Sequence, residues 1–254
     1  VTFFVAMSGV IDRWPMSLAT LTYEVGTSWL MILLYIFLVF VCLDVLRLCH
    51  AVPSAALHNN GWLSGGIAVA LTVLFTLAYF HYNDKKRVEM VVTTKKNMKK
   101  DVKLVLVSDL HLGYHNTRAD LHRWLTLLKA EHPDAILIGG DLIDGSYRPV
   151  AQEHMAEEFR SLDIPVIACL GNHDYYTGLN ADLQFCRDAG IMVLRDKTVN
   201  INEIGNITVI GRDDRTNRQR KSLSEVMRGG RQVPFSHRAQ PSALSFGRSR
   251  KQWS

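Results

Sequence analysis

Cysteine is scarce in this chain, four residues in 254. None of the four stands in a C-x-x-C or mixed His/Cys spacing. Cys42, Cys49, Cys169 and Cys186 therefore offer neither a disulfide framework nor a zinc ribbon, and each reads as a buried free thiol. Aromatic residues are missing where positive charge is densest. Lys85, Lys86, Arg87, Lys95, Lys96, Lys99, Lys100 and Lys103 follow one another with no Phe, Tyr or Trp among them. A face that binds nucleic acid sets aromatic rings among its basic residues, so this segment argues against a nucleic-acid partner. The N-terminus lacks the basic region of a signal peptide and has no small-residue cleavage site ahead of Asp12 and Arg13. Residues 1–10 are apolar but too short to span a bilayer, and they begin with Val, so an incomplete N-terminus is expected.

Charge is absent from two long runs. Residues 25–43 are uncharged and rich in Leu, Ile, Phe and Val around Trp29 and Tyr35, and residues 62–80 are uncharged and end in Tyr79, Phe80, His81 and Tyr82. Each is long enough to cross the hydrocarbon core, and the aromatic cluster is what a membrane interface holds. Buried core helices would have the same composition, but two such runs followed by a change to charged sequence favour a membrane anchor. The expected spans are about 25–48 and 62–82. The lysine-rich segment after the second run places the rest of the chain on the cytoplasmic side and in reach of anionic headgroups, or serves as a plain solvated linker. A multi-pass membrane protein is the expected setting, with the chain beyond the second run in the cytoplasm.

Chemistry enters with three short segments, each at the end of an apolar run. SDLHLG spans 108–113 after 102–107, GGDLID spans 139–144 after 135–138, and GNHDY spans 171–175 after 165–170. The runs read as buried strands, and residues 119–132 and 150–162 have helical spacing between them, giving β-α-β-α-β order. Open α/β sheets place their sites just past the C-terminal ends of such strands. Asp109, His111, Asp141, Asn172 and His173 thus gather at one sheet edge as oxygen and nitrogen donors suited to divalent metals. Asp144 reads as a loop residue or a support behind a ligand and not as a ligand itself, and His115, His122, His132 and His154 read as surface or helix residues.

This sequence of blocks, DxH then GDxxD then GNHD, resembles the calcineurin-like metallophosphoesterases, in a membrane-anchored bacterial subgroup. The resemblance implies an α/β fold, N-terminal transmembrane helices followed by a partial metallophosphoesterase αββα sandwich. It implies two divalent metal ions, manganese, iron or zinc, with Asp109 and His111 on the first, Asp141 bridging and Asn172 on the second. His173 would contact the substrate and assist the leaving oxygen, with Asp174 orienting its ring. The implied reaction is hydrolysis of a phosphodiester or phosphomonoester. A lipid-linked substrate suits an anchor that holds the site near the bilayer. A scaffold or sensor that keeps the fold without catalysis is the alternative.

The resemblance runs over residues 102–228, through GRDD at 211–214, and then fails: an HQP-like segment and a GHxH block expected later are missing. Residues 229–254 lack apolar periodicity and are rich in Arg, Ser and Gln. A natural disordered tail and a frameshifted end both fit. Dropping one base permits HQPYHLEEAENNG over the last residues, which favours the frameshift and implies impaired activity for this polypeptide; His237 does not match the HQP histidine. The expected organisation is an anchor at 1–82, a basic linker at 83–101, a catalytic domain at 102–228 building mainly its first sheet, and an aberrant or disordered tail at 229–254.

Overall fold

A computed structural model describes residues 2–58, 60–95, 98, 100–201, 205, 207–229 and 232–233. The chain begins with a short helix, α1 (Thr2–Met7), and a single 3-10 turn at Val10–Arg13. Two long apolar helices come next, α2 (Met16–Leu48) and α4 (Gly61–Asn83), with the short α3 (Ser54–Leu57) between them. Both long helices are apolar enough to cross a membrane. Their side chains are apolar nearly all round, which suits a lipid surround better than one packed face. The first helix starts at Met16, well ahead of the expected boundary near residue 25. The added turns carry Glu24 but pack on protein: Ala19, Tyr23 and Gly26 are buried there.

The domain after α4 alternates strand and helix: β1 (Leu104–Val107), α5 (Arg118–Ala130), β2 (Ala135–Ile138), α6 (Tyr147–Gln152), α7 (Ala156–Arg160), β3 (Val166–Ala168), α8 (Asn172–Ala189) and β4 (Met192–Val193). The four strands form one parallel sheet in the order β1-β2-β3-β4. That is the arrangement a β-α-β chain gives when each crossover is right-handed. Leu121 and Leu125 of α5 share one helix face and bury it on the sheet beside Ile136, Ile138 and Phe185. Burying a side chain such as Phe185 contributes roughly 1.5–3 kcal/mol. The single helix expected over 150–162 is instead two, α6 and α7, parted at His154, whose φ is 53°.

A second sheet consists of β5 (Lys197–Ile201), β6 (Ile207–Gly211) and β7 (Gln232–Val233), with α9 (Leu223–Gly229) before its last strand. The order is β6-β5-β7, antiparallel between β5 and β6 and parallel between β5 and β7. Val199 and Ile201 of this sheet pack on Ala135, Ile167 and Leu194. The two sheets therefore lie face to face, with α5–α8 covering the far side of the first. β7 falls in the stretch read as an aberrant or disordered tail, and its register on Thr198 and Val199 extends the second sheet. The remainder of the expected tail, His237 included, lies outside the described residues.

Two further expectations change. β1 is not a fully buried strand: it pairs only with β2 among the described residues, and Leu106 is 72% exposed. The four cysteines are free, but Cys42 and Cys49 lie exposed on or beside α2, and only Cys186 is buried. Part of the basic linker is also accounted for. Arg87 and Lys103 pair with Glu131, and Lys100 pairs with Asp134, so these cations fasten the linker to the end of α5.

Candidate metal centre

Past the strand ends, the backbone ladder of β1 and β2 continues into the loops. Gly139 N–H donates to the Val107 carbonyl (2.7 Å), Asp109 N–H to that of Gly140 (3.1 Å), and His111 N–H to that of Asp141 (3.0 Å). The loops are thus zipped together, and they turn sharply while staying paired. Asp109, His111 and Asp141 take φ values of 57°, 44° and 54°. Of the seven non-glycine residues with positive φ among those described, these are three. Such conformations cost of order 1–3 kcal/mol each and collect at functional sites. At Gly140, φ is 106° and an added Cβ would stand 2.7 Å from the Gly171 nitrogen, so only glycine lets the third loop approach.

The turns aim three side chains at one point. Ligand atoms of Asp109, His111 and Asp141 all lie within 4.8 Å of one another. A second cluster, His111, Asp144 and His173, meets the same limit and shares His111 with the first. His111 Nδ1 is buried without a hydrogen-bond partner, with Asp144 Oδ2 at 3.9 Å. A buried imidazole nitrogen left unpaired in this way, among carboxylates, fits a metal ligand. The donor set, oxygen and imidazole nitrogen without thiolate, suits a divalent cation. Asn172 is the first residue of α8, at the same sheet edge.

His173 is a member of the second cluster and touches two residues of the first. Its backbone N–H donates to Asp141 Oδ1 (2.9 Å), and its ring meets that of His111 edge to face at 4.6 Å. The expectation that Asp174 orients the His173 ring is corrected. Ring Nδ1 lies 2.7 Å from Asp144 Oδ1, and a carboxylate there can only accept, so Asp144 fixes Nδ1 as the donor. The spacing of GGDLID held this hint: Asp144 falls three residues beyond Asp141, at the other side of the same turn.

Asp174 has a different task. It is fully buried and accepts from four backbone N–H groups: Gly171 (2.8 Å), Asp141 (3.0 Å), Leu142 (2.8 Å) and Ile143 (3.2 Å). It therefore pins the Asp141 loop to the start of α8. Burial raises the Asp174 carboxyl above its ordinary value, while those four donors pull the other way. Asp182, on the same helix beyond a break at Gly178, is also fully buried. Its carboxyl is pushed up to about 8, first by burial and then by the charge of Asp174. With four donors on Asp174 and Asp182 Oδ1 without a partner, the proton of this pair resides on Asp182.

The pair makes stability depend on pH. The folded state holds a proton on Asp182 up to about pH 8, whereas the unfolded chain releases it near ~3.9. Folded protein binds more protons across that window, so this contribution to stability is greatest below the window and falls as pH rises, by at most about 1.4 kcal/mol per unit. Asp182→Asn should flatten that slope and stabilise the protein near pH 8, measured as the melting temperature across pH 5–9 in detergent. An unchanged slope would show that Asp182 is not the protonated member.

Elsewhere the motif residues serve structure. In GRDD, Asp213 accepts from Tyr175 Oη (2.8 Å), Arg195 Nε (3.0 Å) and Asn217 Nδ2 (2.8 Å), tying the second sheet to α8. Burial alone would raise its carboxyl, but those donors hold it below the usual range. His122 pairs with Glu158 on the domain surface, and His115 bonds Thr27 of α2. His132 and His154 are exposed.

Residues 102–241 match the family described as calcineurin-like phosphoesterase. An uncharacterized metallophosphoesterase of Aquifex aeolicus is 34% identical over 116 residues, 45% of this chain and 43% of that protein. A transmembrane protein with metallophosphoesterase domain from Danio rerio is 27% identical over 186 residues, 68% of this chain and 41% of that protein. An uncharacterized metallophosphoesterase of Campylobacter jejuni is 35% identical over 92 residues, 36% of this chain and 24% of that protein. The chain spans less than half the length of each of these relatives. The family match continues past residue 228, where the motif resemblance in the sequence stopped.

Proposed function

The chain belongs to the calcineurin-like phosphoesterase family, and we propose that it is a dinuclear, metal-dependent phosphoesterase acting at a membrane surface. The observation that carries this reading is the convergence of Asp109, His111 and Asp141 on loops held in left-handed turns, with His173 beside them. Asp109 and His111 would hold one divalent ion, Asp141 would be shared, and Asn172 would face the second. Bound there, a pair of metals supplies charge for the phosphoryl oxygens and a water activated at neutral pH. The protein's own part is positional and protonic. Asp144 holds His173 Nδ1–H, and in the doubly protonated ring Nε2 carries the proton that would pass to the departing oxygen, leaving the ring neutral.

The two apolar helices, together with the transmembrane relative, support membrane association. We place the protein in a bacterial inner membrane with both helices spanning and the catalytic domain cytoplasmic. The charge pattern of residues 85–103 supports that orientation. A lipid-linked phosphodiester or monoester is the proposed substrate, because its chains can stay in the bilayer while the phosphate reaches the site.

One preparation tests the reading. Carbonate-washed membranes carrying the full chain should hydrolyse bis(p-nitrophenyl) phosphate with added manganese, slowly if the expected impairment holds, and lose that activity to a chelator. Protein and activity released into the carbonate wash would sink the spanning helices. Turnover that survives the chelator would sink the metal centre, and no turnover at all would leave a scaffold.

A further inference from the structure

The loops that carry the candidate ligands are gripped from outside their own domain. Asp12 lies on the turn before α2, and its Oδ1 accepts from Tyr114 Oη (2.7 Å) and from Ser146 Oγ (3.0 Å). Tyr114 lies three residues beyond His111, and Ser146 two beyond Asp144. One carboxylate oxygen therefore bridges the two loops whose side chains meet in the His111, Asp144 and His173 cluster. Arg148 completes the join by donating to the carbonyls of Ile11 (3.1 Å) and Trp14 (2.7 Å).

The contact is packed as well as hydrogen-bonded. Ala6, Ile11, Ala19 and Tyr23 form one buried cluster with Tyr114, and the Tyr23 and Tyr114 rings lie 5.0 Å apart. Burial, then Asp12, pushes the Tyr114 hydroxyl up to about 12, so it stays a donor at any physiological pH. The second long helix reaches the same loop. Tyr82 Oη donates to Asn116 Oδ1 (3.1 Å), and Asn116 Nδ2 donates to the carbonyls of Leu110 (2.9 Å) and His111 (3.1 Å).

We propose that the N-terminal helices are part of the scaffold of the metal centre, with Asp12 a positioning residue that sets the separation of the His111 and Asp144 loops. The assignment of the centre rests on the function proposed above; the bridge itself does not. Residues in this position hold ligands at their productive geometry, and losing such a partner commonly weakens metal binding by about ten- to hundredfold. The anchor then does more than tether. A perturbation of α2 or α4 reaches His111 and Asp144 through side chains a few residues away.

The experiment uses the full chain in detergent with Asp12→Leu and Asp12→Asn. Leu removes both acceptors at similar size, whereas Asn keeps an oxygen that can take both hydroxyls. Two quantities are read: manganese binding by electron paramagnetic resonance, and backbone hydrogen exchange. Asp12→Leu should weaken manganese binding about ten- to hundredfold and speed exchange in residues 109–116 and 144–148 together, leaving β2 protected. Asp12→Asn should restore both readouts to near wild type. Exchange that rises throughout the domain, or in neither loop, would overturn the bridge. Faster loops with unchanged manganese affinity would overturn the positioning role. A wild-type chain that binds no manganese would sink the metal-centre reading, and the exchange arm would still decide the bridge.

Discussion

Asp141→Asn is expected to lose metal-dependent turnover almost entirely while the protein stays folded. Asp141 is the residue on which the most geometry converges. Its carboxylate lies in the cluster with Asp109 and His111, and its Oδ1 also receives the His173 backbone N–H (2.9 Å). Asparagine keeps an oxygen for that N–H and tolerates the left-handed turn at φ 54°. It removes only the negative charge that a shared cation requires. The drop should exceed the roughly ten- to hundredfold typical of losing an outer partner of a metal ligand. The measurement is hydrolysis at saturating manganese beside the metal-free melting temperature. Wild-type turnover in this variant would place the centre elsewhere.

Much of this site was legible in the sequence because its parts obey local rules. Asp109, His111, Asp141 and His173 each come after an apolar strand, and parallel strands deliver their C-terminal ends to one edge. The order of the first sheet comes from the same alternation. What the sequence withheld were partnerships set by turns. Asp174 follows His173, and the family resemblance implied that its carboxylate orients the ring. The helix start instead points Asp174 inward to the backbone of residues 141–143, and the turn after Asp141 swings Asp144 to the ring. Long-range contacts were equally hidden. Nothing in the spacing of Asp12 announces Tyr114 and Ser146, 102 and 134 residues away. The early start of α2 belongs to the same class, since Tyr23 and Gly26 are buried by packing on protein while the apolar run beyond them is not.

Asp174 carries the largest expected loss of stability. Four backbone N–H groups end on its fully buried carboxylate, from three consecutive residues of the Asp141 loop and from Gly171. Leaving a buried donor unpaired costs about 1–3 kcal/mol, so Asp174→Ala should destabilise the domain by several such increments. Asparagine should not rescue it, because its amide nitrogen would turn two donors toward donors where the carboxylate offered an acceptor. This is the opposite of the behaviour expected at Asp182, where the proton already sits and an amide can stand in for the acid. The contrast separates the two members of the pair. Denaturation of both Asn variants near pH 8 should give a large loss for position 174 and a gain or no change for position 182. The exchange of residues 141–143 should accelerate in the first variant alone. An Asp174→Asn protein as stable as wild type would mean that the Asp141 loop is held by its ladder to Asp109 and His111, and that the buried carboxylate is dispensable.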